Sequence, residues 1–262
     1  MRNLRQVTEN VVIWEFLRNE FHHHDFDGDR ERYLRFVENP DLKDARENAV
    51  RRALFYRRRG HMWNQLPPDT VWHEVQLEPR DLDRLDVFAR THWRKIGGHS
   101  CRLAHVVKRM RDGDFSKTYV VGGTANGGVE ISRVGDVVTA VKEFSHELAK
   151  RTDCSAAVLI GVDDASPVTI LEGNHRFAAA LLHSPDLLFR QFRVFYGASP
   201  SMTKCCWYGP PTAPNMARYA FKRLKHFGNR EADIERLLPL LYPELQSPKT
   251  GFSGPYSADR VG

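Results

Sequence analysis

The feature that most constrains the fold is a change of period between residues 168 and 182. The β-rich run Val168-Thr169-Ile170-Leu171 gives way, through Glu172-Gly173-Asn174-His175-Arg176, to the alanine-rich segment Phe177-Ala178-Ala179-Ala180-Leu181-Leu182. A strand delivered by a glycine into a helix is the building step of α/β proteins, and the apolar content of both sides requires that both be buried. The turn residues then lie at a helix N-terminus, where unpaired N–H groups and the helix dipole favour an anion. Gly173 permits close backbone approach or a positive φ, Arg176 offers a two-pronged donor to phosphate oxygens, and His175 adds one more donor. The bland alternative is that Glu172 and Asn174 only cap the helix while His175 and Arg176 are surface residues.

The remaining chain divides into three stretches, predicted as a helical N-terminal extension over 1–65, a nucleotide-binding domain over 66–208 with a helical insertion at about 86–150, and a helical C-terminal segment from 209 with a disordered tail. In the first, Val11, Val12, Trp14, Phe16 and Leu17 share one apolar face, and Tyr33, Leu34, Phe36 and Val37 a second, separated by the breaker Asn39-Pro40-Asp41. In the second, Leu66-Pro67-Pro68 leads to Val71–Leu77, whose alternation predicts a strand, and Asp81–Leu85 has the pattern of a capped helix start. Val134–Lys150 reads as an amphipathic helix, and Ala156–Val162, Pro167–Leu171 and Phe192–Tyr196 as strands. The third carries helical patterns at Met216–His226 and Glu231–Leu241.

With 262 residues, 41% of them hydrophobic, the chain can build a core without staples. No apolar run of about 18 residues and no signal-peptide core is seen, so a cytoplasmic protein without a membrane anchor is expected. Cys101, Cys154, Cys205 and Cys206 lack paired-ligand spacing and are read as free thiols. A formal net charge of +6 favours an anionic partner without choosing between nucleic acid, nucleotide and acidic metabolite. The runs Arg51-Arg52, Arg57-Arg58-Arg59 and Lys108-Arg109 with Arg111 are read as solvated helix faces. His22-His23-His24-Asp25, Asp25-Phe26-Asp27-Gly28-Asp29 and Gly122–Gly128 lack the spacing of a transition-metal site, a calcium loop and a P-loop respectively, and no resident metal ligands are assigned to the chain.

Gly173-Asn174-His175-Arg176 between a strand and an alanine-rich helix resembles the phosphate-binding motif of the ParB/sulfiredoxin superfamily. Variants ending in Arg-Arg or His-Arg occupy this position in nucleotide-dependent DNA-partition clamps, in sulfiredoxin and in free-serine kinases. The resemblance covers about Val71–Leu82 and Ala156–Tyr196 and implies a small mixed α/β sheet with flanking helices, with Glu172 and Gly173–Arg176 contacting nucleotide phosphates. Asn174 stands where sulfiredoxin has its cysteine, so sulfinyl reduction is not expected, and no helix-turn-helix is visible in 208–245. Thr91-His92-Trp93, Gly97-Gly98-His99-Ser100 and Ser199-Pro200-Ser201-Met202 also resemble bacterial ParB-like proteins.

The kinase branch implies ATP or ADP with Mg2+ and a small polar acceptor, with an orienting carboxylate soon after the first strand: Glu78 or Asp81, Glu78 preferred. As plain structure, both are cap or surface acids. His92, His99, Ser100 and Arg102 are candidate acceptor contacts, or else a helix end and its solvated neighbours. Ser199 and Ser201 follow the last strand and either meet nucleotide or cap a short helix. The expectation is a nucleotide-dependent phosphotransferase; the alternative is a nucleotide-binding regulatory or DNA-associated module that modifies no metabolite.

Overall fold

The computed structural model describes residues 1–22, 26, 30–89, 91–123, 129–148, 150, 154–210, 212–226 and 234–245. The chain opens with β1 (Arg2–Val7), α1 (Glu9–Glu20), α2 (Arg30–Glu38) and α3 (Ala45–Trp63). There follow β2 (Val71–Gln76), a 3-10 turn (Pro79–Arg84), β3 (Leu85–Asp86), α4 (Thr91–Gly97), α5 (Leu103–Asp112), β4 (Tyr119–Gly123), β5 (Val129–Arg133) and α6 (Val134–Leu148). The last part holds β6 (Cys154–Gly161), β7 (Val168–Glu172), α7 (Asn174–His183), α8 (Pro185–Arg190), β8 (Phe192–Ala198), α9 (Ala213–His226) and α10 (Ile234–Leu241).

Six strands form one mixed sheet in the order β1-β2-β8-β6-β7-β3, and β4 and β5 form a separate antiparallel pair. The inner strands bury both faces, which is why their sequences are nearly continuous apolar runs. Ala156, Val158 and Ile160 of β6 point to a core built with α1 and α3, whereas Ala157 and Leu159 point to a second core built with α5, α6 and α7. The result is helix on sheet on helix. Local chemistry sets the helix starts: Asp44 accepts from the Arg46 N–H to open α3, and Ser184 accepts from Asp186 before Pro185 at the first turn of α8.

The mixed α/β sheet with flanking helices agrees with the sequence reading, and four details differ. The segment 1–65 is not an appendage: β1 pairs antiparallel with β2 from Arg2↔Gln76 to Val7↔Trp72, and α1 packs on the sheet. Asp81–Leu85 does not start an α-helix but closes the 3-10 turn Pro79–Arg84, because Asp81 is turned inward and the chain must become extended again at Leu85. The stretch 86–150 is not purely helical, since the hairpin β4–β5 divides α5 from α6. The helix after the elbow begins at Asn174 rather than Phe177. The histidine run, the calcium-like run, most of the glycine-rich turn and the C-terminal tail fall wholly or partly outside the described residues.

Strand directions locate the site. Because β7 runs parallel to β3 and antiparallel to β6, β6 parallel to β8, and β8 antiparallel to β2, the strands β2, β3 and β7 all end at the same edge of the sheet. β6 and β8 end at the opposite edge. Among the described residues no helix is long and apolar enough to cross a membrane.

Candidate functional site

β7 leaves the core at Glu172 and turns at Gly173, whose φ of +102° places it in the left-handed region. A side chain there would be strained by its backbone and would set its Cβ 3.0 Å from the Ala157 Cβ, so the elbow requires glycine. Gly173 accepts the first helical bond of α7 from Phe177 at 2.9 Å, and the N–H groups of the first turn face the elbow. The ten-residue helix is long enough for its dipole to count there.

Three charged side chains converge at this point. Glu172 Oε2 lies 3.2 Å from Arg59 Nη2 of α3, and its Oε1 lies 3.9 Å from Arg176 Nη2. Oε1 also accepts from the Gly173 N–H at 3.2 Å. A carboxylate of the chain itself therefore occupies the position in which the helix N-terminus and two guanidinium groups would hold a foreign anion. The Arg59 Nε is buried and has no acceptor among the described residues, so one donor of this cluster is still unused.

On the outer side of α7, the His175 ring meets the Trp93 ring of α4 edge-on at 5.0 Å. Its pKa is held below the ordinary histidine value by desolvation, then by the nearby His92 and Arg176, against an opposing pull from Glu172. His175 is nevertheless exposed to solvent, so the desolvation is partial and the lowering modest. His92, the residue before Trp93, shares a hydrogen bond of 2.7 Å with the Ser132 hydroxyl of β5.

The structure thus brings Glu172, Gly173, His175, Arg176 and His92 together, and it places the other candidates elsewhere or turns them to other partners. Asn174 faces inward, 8% exposed, its Nδ2 donating to the Ile170 carbonyl at 3.1 Å and its Oδ1 accepting from the Phe88 N–H at 2.9 Å, so its side chain locks the elbow to the segment after β3. Ser199 and Ser201 follow β8 at the opposite edge of the sheet, about 16 Å away by the rise of a five-residue strand. There the Ser199 hydroxyl donates to Asp69 at 2.9 Å and accepts from the Ser201 N–H at 3.0 Å, which is a serine side-chain turn.

Glu78 and Asp81 lie at the correct edge but beyond β2, three strand spacings from β7, or about 14 Å. Asp81 is 2% exposed, accepts from the Glu78 N–H and pairs with the N-terminal ammonium at 2.8 Å. Glu78 is held by Arg80 at 2.7 Å. Both acids complete a cap. Of the proposed acceptor contacts, His99 stacks edge-on with His105, Ser100 accepts from the Arg102 N–H, and Arg102 reaches Asp86 and the Arg84 carbonyl.

Arg59 and Trp93 were not among the sequence candidates. A signal for Arg59 existed: it lies four residues after Phe55 and three before Met62, both buried, so helical spacing turns it inward from the basic run. Glu172, the carboxylate at the elbow, is already paired with Arg59 and Arg176 and so offers a magnesium ion no uncommitted ligand. The hollow beside Glu172 and Arg59 is only about 10 Å³, whereas the larger ones, about 600 and 650 Å³, lie beside the β1–α1 junction and beside α4 and β4. An anion at the elbow would therefore sit on its open side.

These features define a class, an α/β protein with an arginine-flanked strand-to-helix elbow on a mixed sheet. No family model, no curated protein and no solved structure matches the chain.

Proposed function

We propose that the chain is a nucleotide-binding protein of ParB/sulfiredoxin type, in which Gly173, Arg176 and Arg59 hold the phosphates of ATP or ADP and His175 adds a donor. The observation that carries this reading is the meeting of Arg59 and Arg176 on the Glu172 carboxylate at the mouth of α7. A polyphosphate brings more charge and more acceptor oxygens than a carboxylate, so it competes for the same donors and Glu172 turns aside.

Phosphotransfer to a small polar metabolite rests on the likeness to the free-serine kinases. In this arrangement Glu78 and Asp81 are engaged elsewhere, and the carboxylate at hand is Glu172 once a nucleotide has released it from the arginines. The engagement of those two acids favours a second reading, a nucleotide-binding regulatory or DNA-associated module without metabolite chemistry. A cytoplasmic setting goes with either reading.

The test is calorimetric titration of the full chain with ATP, ADP and CTP, beside duplex DNA at two salt concentrations. Nucleotide binding that is lost in Arg176→Ala and Arg59→Ala supports the site, and binding indifferent to both removes it. Transfer of a labelled γ-phosphoryl group to a hydroxyl metabolite selects the enzyme. Duplex binding that falls steeply with salt selects the module.

A further inference from the structure

The hairpin β4–β5 stands apart from the main sheet and carries two unequal faces. Val120 points inward, 8% exposed, into the core that also holds Trp93 and Ile96 of α4. Tyr119, Val121 and Ile131 point outward and are 51%, 68% and 67% exposed, with Val121 directly across from Ile131 and Tyr119 across from Arg133. The Val134 N–H donates to the Thr118 carbonyl. Alternation along an antiparallel ladder then turns the N–H and C=O groups of Tyr119 and Val121 away from β5, and among the described residues no backbone partner meets them.

That open edge borders a groove of about 650 Å³ whose other wall carries Arg94, Lys95 and Gly98 of α4. Arg94 and Lys95 are exposed and have no carboxylate partner among the described residues, and the Arg109 guanidinium lies against Gly98. An open strand edge is a template for another strand, and soluble proteins normally cover or charge such edges. Here the charge lies beside the edge, all of one sign, where it attracts an acidic strand rather than repelling every strand.

We propose that this groove binds an extended acidic segment of another protein, which adds as a third strand along β4. Side chains of an added strand alternate as those of β4 do. One set falls beside Tyr119 and Val121 on the outer face, and the next set points towards Arg94 and Lys95. The segment that fits therefore alternates β-branched or aromatic residues with Glu or Asp. The nucleotide reading is not needed for this, since the groove and the elbow share no residue.

The probe is a capped peptide of alternating Glu and Val, titrated against the full chain by fluorescence anisotropy. The affinity is expected to fall at least about tenfold in the pair Arg94→Glu with Lys95→Glu, and to be recovered there by a peptide of alternating Lys and Val. Val121→Pro removes only an outward N–H and should weaken the peptide as much. Should that variant fail to fold, N-methylation of alternate peptide amides removes the same ladder from the other side. Binding that survives both charge reversal and N-methylation overturns the proposal. So does a duplex oligonucleotide that displaces the peptide with the same sensitivity to charge reversal, or self-association of the chain that Val121→Pro abolishes while the peptide does not bind.

Discussion

The Arg59 guanidinium of α3 lies 3.2 Å from the Glu172 carboxylate at the end of β7, so two elements 113 positions apart in sequence meet at the N-terminus of α7. The pair joins one helical layer to the elbow and presets both charges without a ligand. Two opposite effects follow for anion binding. Arg176→Ala should weaken ATP or ADP by about 1.5 to 3 kcal/mol, the worth of a hydrogen bond to a charged group, which is about ten- to hundredfold in Kd. Glu172→Gln should strengthen binding of inorganic phosphate and nucleotide, because the competing carboxylate is gone. Calorimetry on both variants checks this, and a weaker Glu172→Gln would mean that Glu172 serves the ligand rather than its vacancy.

Asn174 makes a contrasting prediction. Its side chain satisfies a buried carbonyl of β7 and a backbone N–H after β3, and Asn174→Ala leaves both without partners. The expected loss is about 2 to 4 kcal/mol of folding stability, read from urea unfolding. Nucleotide affinity of the folded fraction should change far less than in Arg176→Ala.

What the sequence disclosed and what it hid follow from the range of each interaction. The elbow was legible because β-rich residues, one glycine and an alanine-rich helix are adjacent along the chain. β6 and β7 were legible because burial on both faces demands continuous apolar runs. β1 was not: nearly every residue of Arg2–Val7 is exposed, and the strand is held by backbone pairing and by polar contacts such as Asn3 with His73 and Arg5 with Glu74. No hydrophobic period marks an edge strand of that kind. The inward role of Asn174 was hidden because its partner Phe88 is 86 residues away, and the capping role of Glu78 with Asp81 because a cap and a catalytic pair share the same residue types.

His175 should make stability depend on pH. Its folded pKa lies below the ordinary value of 6.5, so between 6.5 and the lowered value the unfolded chain holds more proton than the folded one. Stability then falls as pH drops through that window and is indifferent to His175 above it. His175→Gln should flatten this part of the curve, measured by urea midpoints from pH 7.5 down to about pH 5. A phosphate beside the ring reverses the shift, so nucleotide binding near pH 6 should take up protons in the native chain and not in the variant, a difference seen by calorimetry in buffers of unlike ionisation enthalpy.

The last prediction concerns the ion-pair network between α1 and the sheet, in which Glu15 is buried while Arg193 and Arg18 stay partly exposed. Glu15 is fully buried and receives Arg193 Nη1 at 2.6 Å and the Arg18 guanidinium. Arg193 also donates its Nε to Glu74 at 2.7 Å, and Glu74 in turn holds Arg5 at 2.7 Å. The bond from Arg193 is the main reason the Glu74 carboxyl titrates below its ordinary 4.5. Arg193→Met strips Glu15 of its strand partner but leaves it Arg18, and should cost about 1.5 to 3 kcal/mol at neutral pH, the worth of a hydrogen bond to a charged group. Because the folded pKa of Glu74 is depressed, its contribution is present above 4.5 and lost as pH falls through the lowered value. The stability gap between native chain and variant should therefore be widest near pH 7 and narrow on acidification below 4.5. A gap that stays constant with pH would instead assign the loss to the packing of the Arg193 stem against Phe195, whose ring the guanidinium overlies at 4.9 Å, and not to its charge.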